Sequence, residues 1–118
     1  MKKILIVEDD IELCKGYSDF LESNYQIFCA NNGREALEIF EKEKIDLIIL
    51  DLIMPDMNGA ETLKKIKQSG SDVKIIVLTG LRYKSVEEQL LKIGADAFLT
   101  KPIFGKDLLS EVNKLLCK

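Results

Sequence analysis

Five short apolar runs punctuate the chain: "KILIV" (3–7), "YQIFCA" (25–30), "DLIILD" (46–51), "KIIVLT" (74–79) and "AFLT" (97–100). They are rich in Ile, Val and Leu. Three are near-continuous rather than alternating, the pattern of strands buried on both faces. Between the runs the period changes. Leu13, Tyr17, Phe20 and Leu21 recur at helical spacing, as do Ala36, Leu37 and Phe40, then Leu63 and Ile66, then Val86, Leu90 and Ile93. Leu108, Leu109, Val112, Leu115 and Leu116 close the series. Turn residues fall in the gaps. Gly70 and Gly94 sit where helix C-terminal caps belong, "NNG" (31–33) precedes the second helical segment, and Asn58-Gly59 precedes the third. Strand and helix alternate throughout, with no internal repeat, low-complexity tract or linker. The pattern predicts one α/β domain over residues 1–118, doubly wound, with a parallel sheet and helices on both faces.

In such a sheet, ligands bind beyond the carboxyl ends of the strands, at the point where strand order reverses. The residues at those ends are Glu8, Asp9 and Asp10 after the first strand, Asp51 at the end of the third, Thr79 at the end of the fourth and Lys101 after the fifth. A strand order of 2-1-3-4-5 would make the first and third strands neighbours. The acids would then converge on Asp51, with Thr79 and Lys101 on its other side. Clustered carboxylates raise one another's pKa unless a cation neutralises them. An all-oxygen set suits a hard ion, Mg²⁺ or Mn²⁺, that keeps several of its waters. A metal, a lysine, a hydroxyl and one nucleophilic carboxylate fit phosphoryl transfer, with Asp51 attacking in line to give an acyl phosphate. Each residue also has a plainer role. Asp9 and Asp10 could cap the first helix, Thr79 could be an ordinary strand residue, and Lys101 could be solvated. Their joint placement on one sheet edge favours the chemical role.

Composition narrows the field. The chain has 118 residues, a net charge of −3 and a pI near 5.1, which disfavours direct nucleic-acid binding. There is no histidine, so histidine triads and histidine metal ligands are excluded. Cys14, Cys29 and Cys117 match neither a zinc pattern nor a disulfide framework. They read as small, partly buried apolar residues in a reducing cytoplasm. No apolar run approaches the roughly 20 residues of a membrane span, and the basic start "MKKILIVEDD" is too short in its apolar part for a signal peptide.

The segments "ILIVEDD", "DLIILDLIMPDMNG", "IIVLTG" and "GADAFLTKPI" together resemble the signature segments of two-component response-regulator receiver domains, the CheY-like family. They stand in the family's order and separations along the whole chain. The resemblance implies a five-stranded sheet in 2-1-3-4-5 order. It implies Mg²⁺-dependent transfer of a phosphoryl group to Asp51 from the phosphohistidine of a sensor histidine kinase or a histidine phosphotransfer protein. The receiver would be a switch that catalyses only its own phosphorylation and dephosphorylation. By the same resemblance, Glu8 and Asp9 are the acidic pair of the metal site, completed by Asp51 and the backbone carbonyl of Ile53, with Asp9 contacting the ion directly. Thr79 is the switch hydroxyl, Phe98 the aromatic switch residue and Lys101 the phosphate partner. Lys101-Pro102 would be a cis peptide, and Pro55 and Gly59 would shape the loop after Asp51. The switched surface would be that of the fourth helix, fifth strand and fifth helix, with Tyr83, Leu91, Leu99 and Phe104 available to a downstream protein or an output domain.

Three details depart from common family patterns. Phe98 stands where tyrosine is commoner. Ala97 in "GADAF" and Glu111 on the last helix differ from the winged-helix subfamily, and "TKPI" looks more like stand-alone or hybrid-type receivers. By the resemblance, Ile53 and Leu81 take the two positions flanking the path of the hydrolytic water; neither side chain can orient that water, so slow dephosphorylation is expected. Other functions fit the residues less well. A flavin carrier would need a phosphate loop where "EDDIEL" places acids. A P-loop nucleotidase would need GxxxxGK[ST], which is absent. A strand-end Asp phosphohydrolase would need a second Asp where Ile53 stands.

Overall fold

The computed structural model describes residues 1–52, 59–80 and 83–116. Expectations that fall on Ile53, Pro55, Asn58, Leu81 and Cys117 lie outside the described residues. The elements are β1 (Lys3–Val7), α1 (Ile11–Leu21), β2 (Gln26–Ala30), α2 (Gly33–Lys42), β3 (Leu47–Asp51), α3 (Gly59–Gln68), β4 (Lys74–Thr79), α4 (Lys84–Ile93), β5 (Ala97–Thr100) and α5 (Gly105–Leu116). The five strands are parallel in the order β2-β1-β3-β4-β5. β1 and β3 are neighbours, so the order reverses between them.

Alternation along the central strands splits the core in two. Ile4, Ile6, Leu47, Ile49, Ile76 and Leu78 pack beneath Cys14, Tyr17, Leu21, Leu108 and Val112 of α1 and α5. Leu5, Val7, Ile48, Leu50, Ile75 and Val77 pack beneath Ala36, Leu63, Ile66 and Leu90 of α2, α3 and α4. Burying each Leu or Ile side chain stabilises the fold by about 1.5–3 kcal/mol, which explains why the central strands carry no polar residue between their first and last positions.

The helix boundaries follow the capping residues. Asp10 accepts the amides of Glu12 and Leu13 at 3.0 and 3.2 Å and starts α1. Asn32 accepts the Glu35 amide at 2.8 Å and starts α2. Gly94 ends α4 at φ +132°, a conformation open to glycine. At the start of α3, the Gly59 amide donates to the Leu52 carbonyl at 2.6 Å. A Cβ on Gly59 would land on the Asp51 carbonyl oxygen and the Leu52 Cα. The Lys101-Pro102 peptide is cis, as the resemblance implies.

Two expectations need correction. Leu13 and Phe20 are 37% and 53% exposed, although the helical spacing groups them with the core residues Tyr17 and Leu21. Cys14 takes the inner position instead, and Leu13 and Phe20 line a groove with Ile103 and Phe104. The apolar stripe of α1 is simply wider than the sheet beneath it. The second correction concerns the cysteines, which were expected to be unpaired. Cys14 on α1 and Cys29 on β2 are joined as a disulfide, 15 residues apart in sequence. Packing of α1 across the edge of the sheet brings them together, a juxtaposition that no local spacing rule encodes.

Candidate functional site

The reversal of strand order places the end of β1 beside the end of β3. Glu8 and Asp51 each follow a run of buried apolar residues, and both are themselves buried. Strand alternation directs them to the α1/α5 side of the sheet, the side to which Ala97 and Leu99 of β5 also point. Lys101, two residues after Leu99, meets them there. Its Nζ lies 2.7 Å from Glu8 Oε1 and 3.4 Å from Asp51 Oδ2. The Lys101 amide donates to the Thr79 carbonyl at 2.8 Å, which ties the lysine to the end of β4. The β1–α1 turn is fixed as well. The Glu8 amide donates to the Ala30 carbonyl at 3.0 Å, and the Asp10 amide approaches Glu8 Oε2 at 3.3 Å.

The acids divide their roles by geometry. Asp10 is committed to the helix cap, the plainer of its two expected roles. Asp9 remains exposed, and one carboxylate oxygen from each of Glu8, Asp9 and Asp51 lies within 4.8 Å of the others. All three donors are hard oxygens, so the set fits a small divalent cation such as Mg²⁺.

Electrostatics reflects the crowding. Burial pushes the Glu8 carboxyl up to about 7; the Lys101 ammonium opposes this, while a hydrogen bond with Asp9 and the charge of Asp51 reinforce it. Burial alone would lower Lys101, but its hydrogen bond to Glu8 and the charges of Asp51 and Glu8 hold the ammonium above the ordinary lysine range. The ammonium is therefore a fixed positive charge at neutral pH. It stands beside a cluster in which burial and neighbouring acids raise the Glu8 carboxyl.

Thr79 is buried at the end of β4. By alternation it belongs with Val77, on the opposite side of the sheet from Asp51. Phe98 is on that side too, register-paired with Val77 and packed, like Val86 and Ile93 of α4, against the core cluster there. Glu8, Asp9, Asp51 and Lys101 thus form one cluster, and by strand alternation Thr79 and Phe98 share the other side of the sheet.

Sequence reasoning gave Tyr17 only a core position. Its phenol is buried and its pKa is raised by that burial; it also feels the charges of Lys101, Glu8, Asp51 and Asp10. Tyr17 belongs to the core on the α1/α5 side of the sheet, the side that carries the charged cluster. A hydroxyl-bearing residue at a core position two turns after a strand-end acid was the available signal.

The response regulator receiver domain family matches residues 4–113. The chain belongs to this family. The receiver is 40% identical, over 98% of its length, to a CpxR homologue of Haemophilus influenzae described as a transcriptional regulatory protein, and covers 51% of that protein. It superposes on a CheY-like receiver domain protein from Methanospirillum hungatei with a TM-score of 0.92, at 33% identity, covering 97% of this chain and 92% of the other. It also superposes on DrrB of Thermotoga maritima, an OmpR/PhoB homologue, with a TM-score of 0.90 at 29% identity, covering 98% of this chain and 52% of DrrB. The receiver spans about half the length of these two longer regulators.

Proposed function

We propose that residues 1–118 form a phospho-accepting receiver in which Asp51 takes a phosphoryl group from a sensor histidine kinase or a histidine phosphotransfer protein. The observation that carries this reading is the Lys101 ammonium lying between Glu8 and Asp51 at the end of β3, 2.7 and 3.4 Å away. It holds positive charge beside a nucleophilic carboxylate before any phosphoryl group arrives. An Asp51 oxygen attacks phosphorus as the bond to the imidazole nitrogen breaks, leaving an acyl phosphate on Asp51. Lys101 then turns from the carboxylates toward the new phosphoryl oxygens. Glu8, Asp9 and Asp51, with the Ile53 carbonyl, would hold Mg²⁺ or Mn²⁺, which would supply further neutralisation of phosphoryl charge. The receiver promotes its own phosphorylation and dephosphorylation and turns over no separate substrate.

Phosphorylation adds roughly −1.5 to −2 charge. Thr79 is drawn toward that charge, and Phe98 repacks against α4. The population of the α4–β5–α5 surface shifts, where Tyr83, Leu91 and Phe104 are exposed. A downstream protein, or an output domain of a longer regulator, reads that surface, as the transcriptional regulators among its relatives suggest. With a net charge of −3, the receiver itself makes no direct nucleic-acid contact. Among the described residues, no helix is long and apolar enough to cross a membrane. The reading places the protein in the cytoplasm with its kinase partner. Incubation with Mg²⁺ and a small acyl or amido phosphate should add one phosphoryl group by intact mass. Asp51→Asn should add none, and efficient labelling of that variant would overturn the assignment.

A further inference from the structure

The disulfide between Cys14 and Cys29 has no part in phosphoryl chemistry, and its position gives it a different use. Cys14 is 2% exposed on the inner face of α1, whereas Cys29 is exposed on β2, an edge strand of the sheet. Their Cα atoms are 6.5 Å apart, inside the range a disulfide spans without backbone movement. Both ends sit one hydrogen bond from the acidic turn. The Cys14 amide donates to the Asp10 carbonyl at 3.0 Å, and the Ala30 carbonyl, next to Cys29, accepts the Glu8 amide at 3.0 Å. The bridge therefore closes a ring around Glu8, Asp9 and Asp10.

We propose that Cys14 and Cys29 are a reversible dithiol/disulfide couple, entered through the exposed Cys29, whose oxidation tightens the turn carrying Glu8 and Asp9. The co-reactant is a low-molecular-weight disulfide. Cys29 loses its proton, and its thiolate attacks one sulfur of that disulfide. The external S–S bond breaks, and one thiol leaves with a proton. The Cys14 thiolate then attacks Cys29 sulfur in the mixed disulfide and expels the second thiol. Two electrons pass from the cysteine pair to the external disulfide, which becomes two thiols. Exchange of this kind needs one accessible sulfur and one within reach behind it, the arrangement seen here. In a reducing compartment the dithiol is the resting form and the bridge a transient signal. The inference stands whether or not Asp51 is the phosphoryl acceptor.

The test uses the full chain carrying Cys117→Ser, equilibrated in glutathione buffers of increasing oxidised fraction, acid-quenched, then alkylated in denaturant so that buried Cys14 is reached, and weighed intact. The expected result is a passage from two alkyl groups to none with a loss of two hydrogens, independent of protein concentration. Two alkylatable thiols at every ratio, a stable glutathione adduct, or a disulfide dimer would each overturn the couple. In the Cys14→Ser version, Cys29 should hold glutathione as a stable adduct; failure to do so would overturn Cys29 as the point of entry. Hydrogen exchange at the amides of Glu8 and Asp10 should slow on oxidation, and unchanged exchange in a bridged protein would overturn the tightening.

Discussion

Asp46 and Asp51 bracket the same strand, and they live differently. Asp46 precedes β3, and its Oδ2 accepts the Lys3 amide at 2.8 Å as β1 begins. Asp96 does the same for β4, accepting the Ile75 amide at 2.8 Å. At this end of the sheet each carboxylate meets a backbone donor and finishes a strand's hydrogen bonding. At the other end Asp51 shares a small space with Glu8, Asp9 and Lys101. There, acids outnumber the cation, and Glu8 responds by holding its proton to about pH 7. The partner, not the residue type, separates an acid that builds the sheet from one that is available for chemistry.

The sharpest way to break this contrast is to exchange the fates of the two ends. Asp51→Asn should abolish phosphoryl labelling entirely, while Asp46→Asn should label like the wild type. Labelling lost equally in both would make the distinction worthless. Next in size is stability. Asp46→Ala or Asp96→Ala leaves a strand-starting amide without its acceptor and should cost about 1–3 kcal/mol in denaturant melts. Neither should alter the extent of labelling under folding conditions.

The third effect is a pH dependence confined to the crowded end. Glu8 is an acid raised in the folded state from 4.5 to about 7. The fold binds that proton more tightly than the unfolded chain does. Its contribution to stability is therefore full below about pH 4.5, declines as pH rises, and is gone above about 7. The difference in unfolding free energy between wild type and Glu8→Gln, followed across this window without divalent metal, should fall steadily with pH. A flat difference would remove the crowding argument. Magnesium competes with the same proton, so its affinity should rise through the window.

The smallest effect separates two adjacent acids. Asp10→Ala removes the α1 cap and should cost about 1 kcal/mol, yet keep the rise in melting temperature that Mg²⁺ produces. Asp9→Ala should cost less and lose that rise. Finding the reverse would exchange the cap and the cation ligand.

Much of this was legible in the chain. The strands stood out because burial on both faces leaves little room for a polar residue before the strand ends. Once those ends were known, Glu8, Asp51 and Lys101 had to appear at one edge of a parallel sheet. The strand order itself rested on the family resemblance. The properties of single residues were harder to read. Helical spacing groups Leu13 and Phe20 with Tyr17 but does not say how wide the sheet beneath them is. The meeting of Cys14 with Cys29 depends on how α1 crosses a neighbouring strand. Nothing local in the sequence marks Asp46 and Asp96, because the amides they serve belong to strands distant in sequence.

Gly59 carries neither charge nor side chain, but its backbone lies against the Asp51–Leu52 peptide so closely that a methyl group would have no room. At Gly16 an added methyl meets nothing within 4 Å. A library of variants selected only for abundance in cells should therefore retain glycine at 59, let 16 drift, and accept Asn at 51. Selection for signalling would freeze 51 and 59 together and make a steric necessity look like a catalytic one. Only the difference between the two selections would show that one position is held by space and the other by chemistry.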